Sequence, residues 1–103
     1  MATPESKVKA KVVVALKALG VYYFFPVASP MYGTRGVPDI VACVNGRFVA
    51  IECKAGKNTV TELQQRNLDS IKACQGVALV CTNENVGEVV AQIRALKLHG
   101  GMP

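Results

Sequence analysis

The chain of 103 residues is short of acidic side chains, holds one histidine, and has no cysteine pair at metal-ligand spacing. Each shortage narrows the chemistry. The lone histidine, His99, falls in a Gly/Pro-rich tail with no partner pattern, so it is expected to be solvated. Cys43, Cys53, Cys74 and Cys81 form no C-x-x-C and fall in expected strands and at a helix end. Buried free thiols in a reducing compartment are therefore expected, and a zinc or disulfide site is disfavoured. No apolar run approaches the roughly 18 residues of a membrane span, and no signal-peptide pattern occurs. Repeats and low-complexity segments are also missing. The expectation is a cytoplasmic chain with no membrane association.

What is present is half apolar, enough for one globular core and little more at this length. We expect one domain over 1–103, with 98–103 as a flexible tail. Lysine and arginine number 12 against 7 acids, a net charge of +5. That balance suits a polyanionic partner, although charge that merely keeps the chain soluble looks the same.

Two apolar runs, Asp39 to Val44 and Arg47 to Lys54, meet at Asn45-Gly46. Asn-Gly between such runs is a strong hairpin signal, because a type I′ turn needs positive φ at both central residues. A two-residue loop sets the register: Val44 faces Arg47, and Asp39 faces Glu52. Alternation along the strand puts Glu52 and Lys54 on one face. Two carboxylates thus lie side by side with an ammonium one step along. Neighbouring carboxylates resist ionising together, and a divalent cation between them removes that cost. Oxygen donors favour Mg²⁺ or Mn²⁺. A lysine beside such a cation can orient an attacking water or stabilise charge on a phosphate. A surface Glu–Lys pair, with Asp39 as a turn residue, is the structural alternative from the hairpin alone.

Around this hairpin the elements follow in order. Thr3 caps a helix with Pro4 in its first turn, and Val8, Val12, Ala15, Leu16 and Leu19 make its buried stripe up to Gly20. Glu5 sits at the edge of that stripe, either as a helix-dipole acid or brought over the sheet. Val21 to Val27 reads as a strand, and Ala28 to Gly36 as a loop holding Tyr32, Thr34 and Arg35. Arg35 is the preferred nucleic-acid contact there, with Tyr32 and, beyond the hairpin, Lys57 as further candidates. A helix from Thr59 to about Gln75 ends at Gly76, with Thr59–Glu62 and Thr61–Gln64 as rival capping boxes. Gln64 interrupts its apolar face; it either caps the helix or faces the carboxylates. Val77 to Thr82 reads as a central strand, and Asn83 to Leu98 as a last helix capped by Asn83 or Asn85.

Pro38-Asp39 followed by Glu52-Cys53-Lys54 resembles the PD-(D/E)xK nuclease signature. With Gly36-Val37 before it, the Asn45-Gly46 hairpin and Gln64 in the next helix, the pattern resembles the virus-type replication-repair nuclease (VRR-NUC) branch, from about Glu5 to Asn83. The resemblance implies an α/β, restriction-endonuclease-like αβββαβα core with a mixed four-stranded sheet flanked by helices. It implies a Mg²⁺- or Mn²⁺-dependent endonuclease acting on DNA in replication, repair or recombination. Asp39, Glu52 and the Cys53 backbone carbonyl would hold the metal, joined or not by Glu5, and Lys54 and Gln64 would complete the catalytic set. Stand-alone members look like phage or bacterial enzymes of the bacterial cytoplasm, related in fold to Holliday-junction resolvases. Branched DNA and a homodimer presenting two sites are the expected partners. The rival expectation is a nucleic-acid-binding module of the same fold without catalysis; an interaction subunit with incidental charge is a weaker one.

Overall fold

A computed structural model describes residues 3–29, 31 and 35–99. Its elements are α1 (Pro4–Leu19), β1 (Tyr22–Phe24), β2 (Ile40–Val44), β3 (Arg47–Cys53), α2 (Glu62–Ala73), β4 (Val77–Cys81) and α3 (Val86–His99). The αβββαβα order matches expectation, and the architecture is α/β. The strands form one sheet in the order β1-β2-β3-β4. Its first two pairings are antiparallel and the β3–β4 pairing is parallel, so the sheet is mixed. A parallel neighbour requires a crossover, and α2 supplies it.

The hairpin register is the expected one. Val44 pairs with Arg47 and Ile40 with Ile51, across a turn whose Asn45 and Gly46 both have positive φ. Alternation then sorts side chains to two faces. Ile40, Ala42, Val44, Val49, Ile51, Cys53 and Cys81 join Val8, Val12 and Leu16 of α1 and Val89 and Ile93 of α3 in one buried cluster. Each fully buried aliphatic side chain contributes about 1.5–3 kcal/mol by leaving water. Ala50 and Glu52 point to the other face, where α2 packs over β4.

Several boundaries differ from the sequence reading, each for a local reason. The first strand is only Tyr22–Phe24: Val21 donates its N–H to Leu16 of the helix, and Pro26 has no N–H to give. Helix α2 starts at Glu62 because Thr61, not Thr59, is the N-cap. Its left-handed terminal residue is Gln75 (φ 72), not Gly76. Gly76 is needed for space instead: a Cβ there would lie 2.7 Å from Ile71 Cγ2. The strand Val77–Cys81 is an edge strand, not a central one. It reads as uniformly apolar because α2 and α3 both pack on it. Helix α3 begins after Asn85, whose carbonyl accepts from Val89 N–H while its side chain turns back to Val80 and Thr82. Leu98 and His99 belong to α3 and not to a tail; residues 100–103 lie outside the described residues.

All four cysteines are free, but only Cys53 and Cys81 are buried; Cys43 and Cys74 are exposed. Cys43 points away from the core cluster, and Cys74 is the C-cap of α2. Among the described residues no helix is long and apolar enough to cross a membrane.

Candidate metal centre

Asp39 precedes β2, one register step beyond the Ile40–Ile51 pair. It lies in a bend, not in the strand as expected, because its side chain takes up the next ladder position. Its Oδ2 accepts the Cys53 backbone N–H at 2.8 Å, replacing a main-chain acceptor and holding the carboxylate against the end of β3. The loop before it is pinned to α2. Asn67 Nδ2 donates to the Arg35 carbonyl at 3.2 Å, and Gly36 (φ 76) packs so closely that a Cβ would lie 3.0 Å from the Leu63 backbone. Glycine is required there for both conformation and space.

Glu52 occupies the last-but-one position of β3, on the α2 face, and is 3% exposed. Lys54 is 8% exposed, with Nζ 3.7 Å from Glu52 Oε2. Its backbone N–H donates to the Cys81 carbonyl, carrying the parallel ladder one residue past β3. Burial, then the neighbouring Asp39 charge, pushes the Glu52 carboxyl up to about 7, against the smaller opposing effect of Lys54. Two carboxylates and one ammonium therefore meet in a poorly hydrated place, and the ammonium does not offset both acids.

Gln64 does two jobs that the sequence presents as alternatives. Its Oε1 accepts the Thr61 N–H at 2.9 Å and its backbone N–H donates to Thr61 Oγ1, completing the capping box. With the carbonyl so engaged, the amide's Nε2 is directed away from the cap, and it donates to Glu52 Oε2 at 3.1 Å. The helix cap and the acidic pair are joined through one side chain. Replacing Gln64 with Ala is expected to cost about 1–3 kcal/mol, from the lost cap and the lost donor to a buried carboxylate. Gln64→Glu keeps the cap acceptor but places another carboxylate beside Glu52, so its loss should grow from acid to alkaline pH. Urea unfolding of both variants across that range measures the difference.

The chain matches no model of a known protein family and no curated protein.

The structure does not bring Glu5 to the pair. Its Oε1 accepts from Asn58 Nδ2 at 2.8 Å, across a groove of about 490 Å³ lined by Thr3, Pro4 and the Ala55–Asn58 turn. Among the described residues no three of His, Cys, Asp and Glu are grouped as a metal site. The side-chain donors at this place are Asp39 and Glu52, with the Cys53 carbonyl in the chain between Glu52 and Lys54. The Cys53 thiol is no competitor: burial pushes it up to about 12, so it stays protonated, and it points to the core cluster. Arg35 and Lys57 are exposed in the loop before Asp39 and the turn after Lys54. Tyr32 and Thr34 lie outside the described residues.

Asn58 and Asn67 hold the loops on either side of the centre, and sequence reasoning missed both. Neither falls on a periodic stripe or in a capping pattern, so only the folded backbone reveals their partners. Oxygen donors and a buried excess of negative charge fit a hard divalent cation such as Mg²⁺ or Mn²⁺.

Proposed function

We propose that this chain is a divalent-metal-dependent DNA endonuclease of the restriction-endonuclease-like, PD-(D/E)xK type, similar to VRR-NUC nucleases. One observation carries the proposal: Asp39, Glu52, Lys54 and Gln64, spread over 26 residues of sequence, meet beside the ends of β2 and β3. Element order and the mixed sheet are compatible with that fold.

Asp39 and Glu52, with the Cys53 carbonyl, would hold the ion. Mg²⁺ or Mn²⁺ there would supply Lewis-acid polarisation of a phosphate oxygen and a more acidic water. Gln64 orients Glu52 through the Oε2 hydrogen bond and leaves Oε1 outside that bond. Lys54 brings positive charge to the place where charge builds on the phosphate and can orient the water for attack. Hydrolysis adds one water across the P–O bond: the hydroxyl joins phosphorus and the proton goes to the leaving sugar oxygen. Arg35 and Lys57 are placed to meet phosphates on either side, and the net charge of +5 favours the same partner. Selectivity for branched DNA in replication, repair or recombination rests on the resemblance.

The test is cleavage of labelled four-way junction, flap and plain duplex DNA with Mg²⁺, Mn²⁺ or EDTA. Cutting that needs the metal and is lost in the Glu52→Ala variant supports the proposal. Binding that weakens steeply with salt, without cutting of any substrate, would overturn it in favour of a non-catalytic binding module.

A further inference from the structure

Helix α2 covers one half of its sheet face and leaves the other half open. On the open half, Tyr22, Cys43 and Phe48 form a cross-strand row through the Tyr22–Cys43 and Cys43–Phe48 pairings. Phe24 stands beside Val41 in the next row. Tyr22 is 70% exposed, Phe48 49% and Phe24 48%, and Cys43 is exposed between the first two. The Tyr22 and Phe24 rings touch, with centroids 6.4 Å apart. Phe48 continues the surface into an apolar cleft of about 350 Å³ against Ile71 and Cys74 of the α2 end. A contiguous aromatic face of this kind is uncommon on a monomer and marks an interaction site.

We propose that a second copy of this chain docks on this face, in a two-fold contact centred near Cys43. Charge selects the occupant. The two rows, Tyr22–Cys43–Phe48 and Phe24–Val41–Ala50, contain no ionisable acid or base apart from the Tyr22 phenol and the Cys43 thiol. A two-fold contact sets each patch against itself, so any charge on it would meet its like. On a chain of net charge +5, a neutral face is where two copies approach at least cost. Single-stranded nucleic acid is the less fitting occupant, because such sites interleave aromatics with Lys and Arg. Mutual ring contacts also limit the rotamer freedom that Tyr22 and Phe24 lose on docking.

The contact lies away from the acidic pair. Cys43 is four residues past Asp39 and Phe48 four before Glu52, roughly 13 Å along the strands at about 3.3 Å per residue. Docking there leaves Asp39 and Glu52 clear and sets one site on each side of the axis. The proposal does not depend on whether those sites cut.

Sedimentation equilibrium of the full chain, from low to high micromolar concentration, is the first test. A dimer is expected, and Tyr22→Glu, a change at a mostly solvent-facing side chain, should weaken it at least ~10-fold. A short bismaleimide should join two copies through Cys43 in the Cys74→Ser variant, and the Cys43→Ser, Cys74→Ser double variant should not be joined. A monomer throughout that range overturns the proposal. So does a dimer indifferent to Tyr22→Glu and not joined through Cys43, which would place the contact elsewhere. Protection of Cys43 from alkylation by single-stranded oligonucleotide alone, in a monomer, would assign the face to nucleobases instead. None of the dimer readouts uses metal or DNA, so this failure and that of the nuclease proposal are distinguishable.

Discussion

Replacing Asp39 with Asn is expected to reduce metal-dependent cleavage at least ~10³-fold while leaving the fold intact. The two parts of the expectation come from different atoms. The anion is lost, and with it one of two side-chain donors to the cation. The amide oxygen of Asn can still accept the Cys53 N–H, so the bond that ties this loop to β3 survives. Asp39→Ala loses both, and should unfold more easily by about 1–3 kcal/mol, the cost of an unsatisfied buried donor. Comparing the two separates catalysis from anchoring, with single-turnover cleavage as one measurement and chemical denaturation as the other. Full cleavage by the Asn variant would remove Asp39 from the metal centre and with it the nuclease proposal.

The Glu52→Gln variant should lose a pH dependence that the natural chain has in the absence of metal. The sign is opposite to that of most carboxylates. Glu52 has an ordinary value of 4.5 and is pushed up to about 7 in the folded chain, by burial and by Asp39. Below about 4.5 both states hold the proton and the stability is complete. Between about 4.5 and 7 the unfolded chain ionises while the folded chain resists, so stability falls. Above about 7 both are ionised and the decline levels off, after a loss on the order of 3 kcal/mol. Glu52→Gln removes this slope. The slope is the readout, because the substitution also leaves Lys54 without its anionic partner and shifts the overall level. Mg²⁺ or Mn²⁺ should raise the melting temperature of the natural chain above about pH 7, where binding needs the deprotonated pair, and do little in acid. An unchanged slope in Glu52→Gln would mean that Glu52 does not carry this titration.

The hairpin was the most legible part of the chain, because a two-residue Asn-Gly turn leaves one register. That register put Asp39 opposite Glu52 before any coordinates. Local rules worked less well where two structural demands met at one residue. Gln64 looked like a choice between cap and site because a capping box is defined by backbone partners only. The site partner comes from another element, so nothing in the box predicts it. The Val77–Cys81 run looked central because helices on both faces make an edge strand as apolar as an inner one. Gly76 looked like the helix stop because glycine usually takes the left-handed position, whereas Gln75 holds it here. Glu5 lies on the turn of α1 that meets Asn58, a partner 53 residues away that helical spacing cannot specify.

The double engagement of Gln64 restricts how this position can drift. Glutamate serves the cap but repels Glu52, asparagine is one methylene shorter, and methionine serves neither partner. Few of the twenty side chains offer both a carbonyl within reach of Thr61 and an N–H beyond it. A lineage leaving glutamine here would have to change Thr61 or Glu52 as well, so these three positions should vary together or not at all.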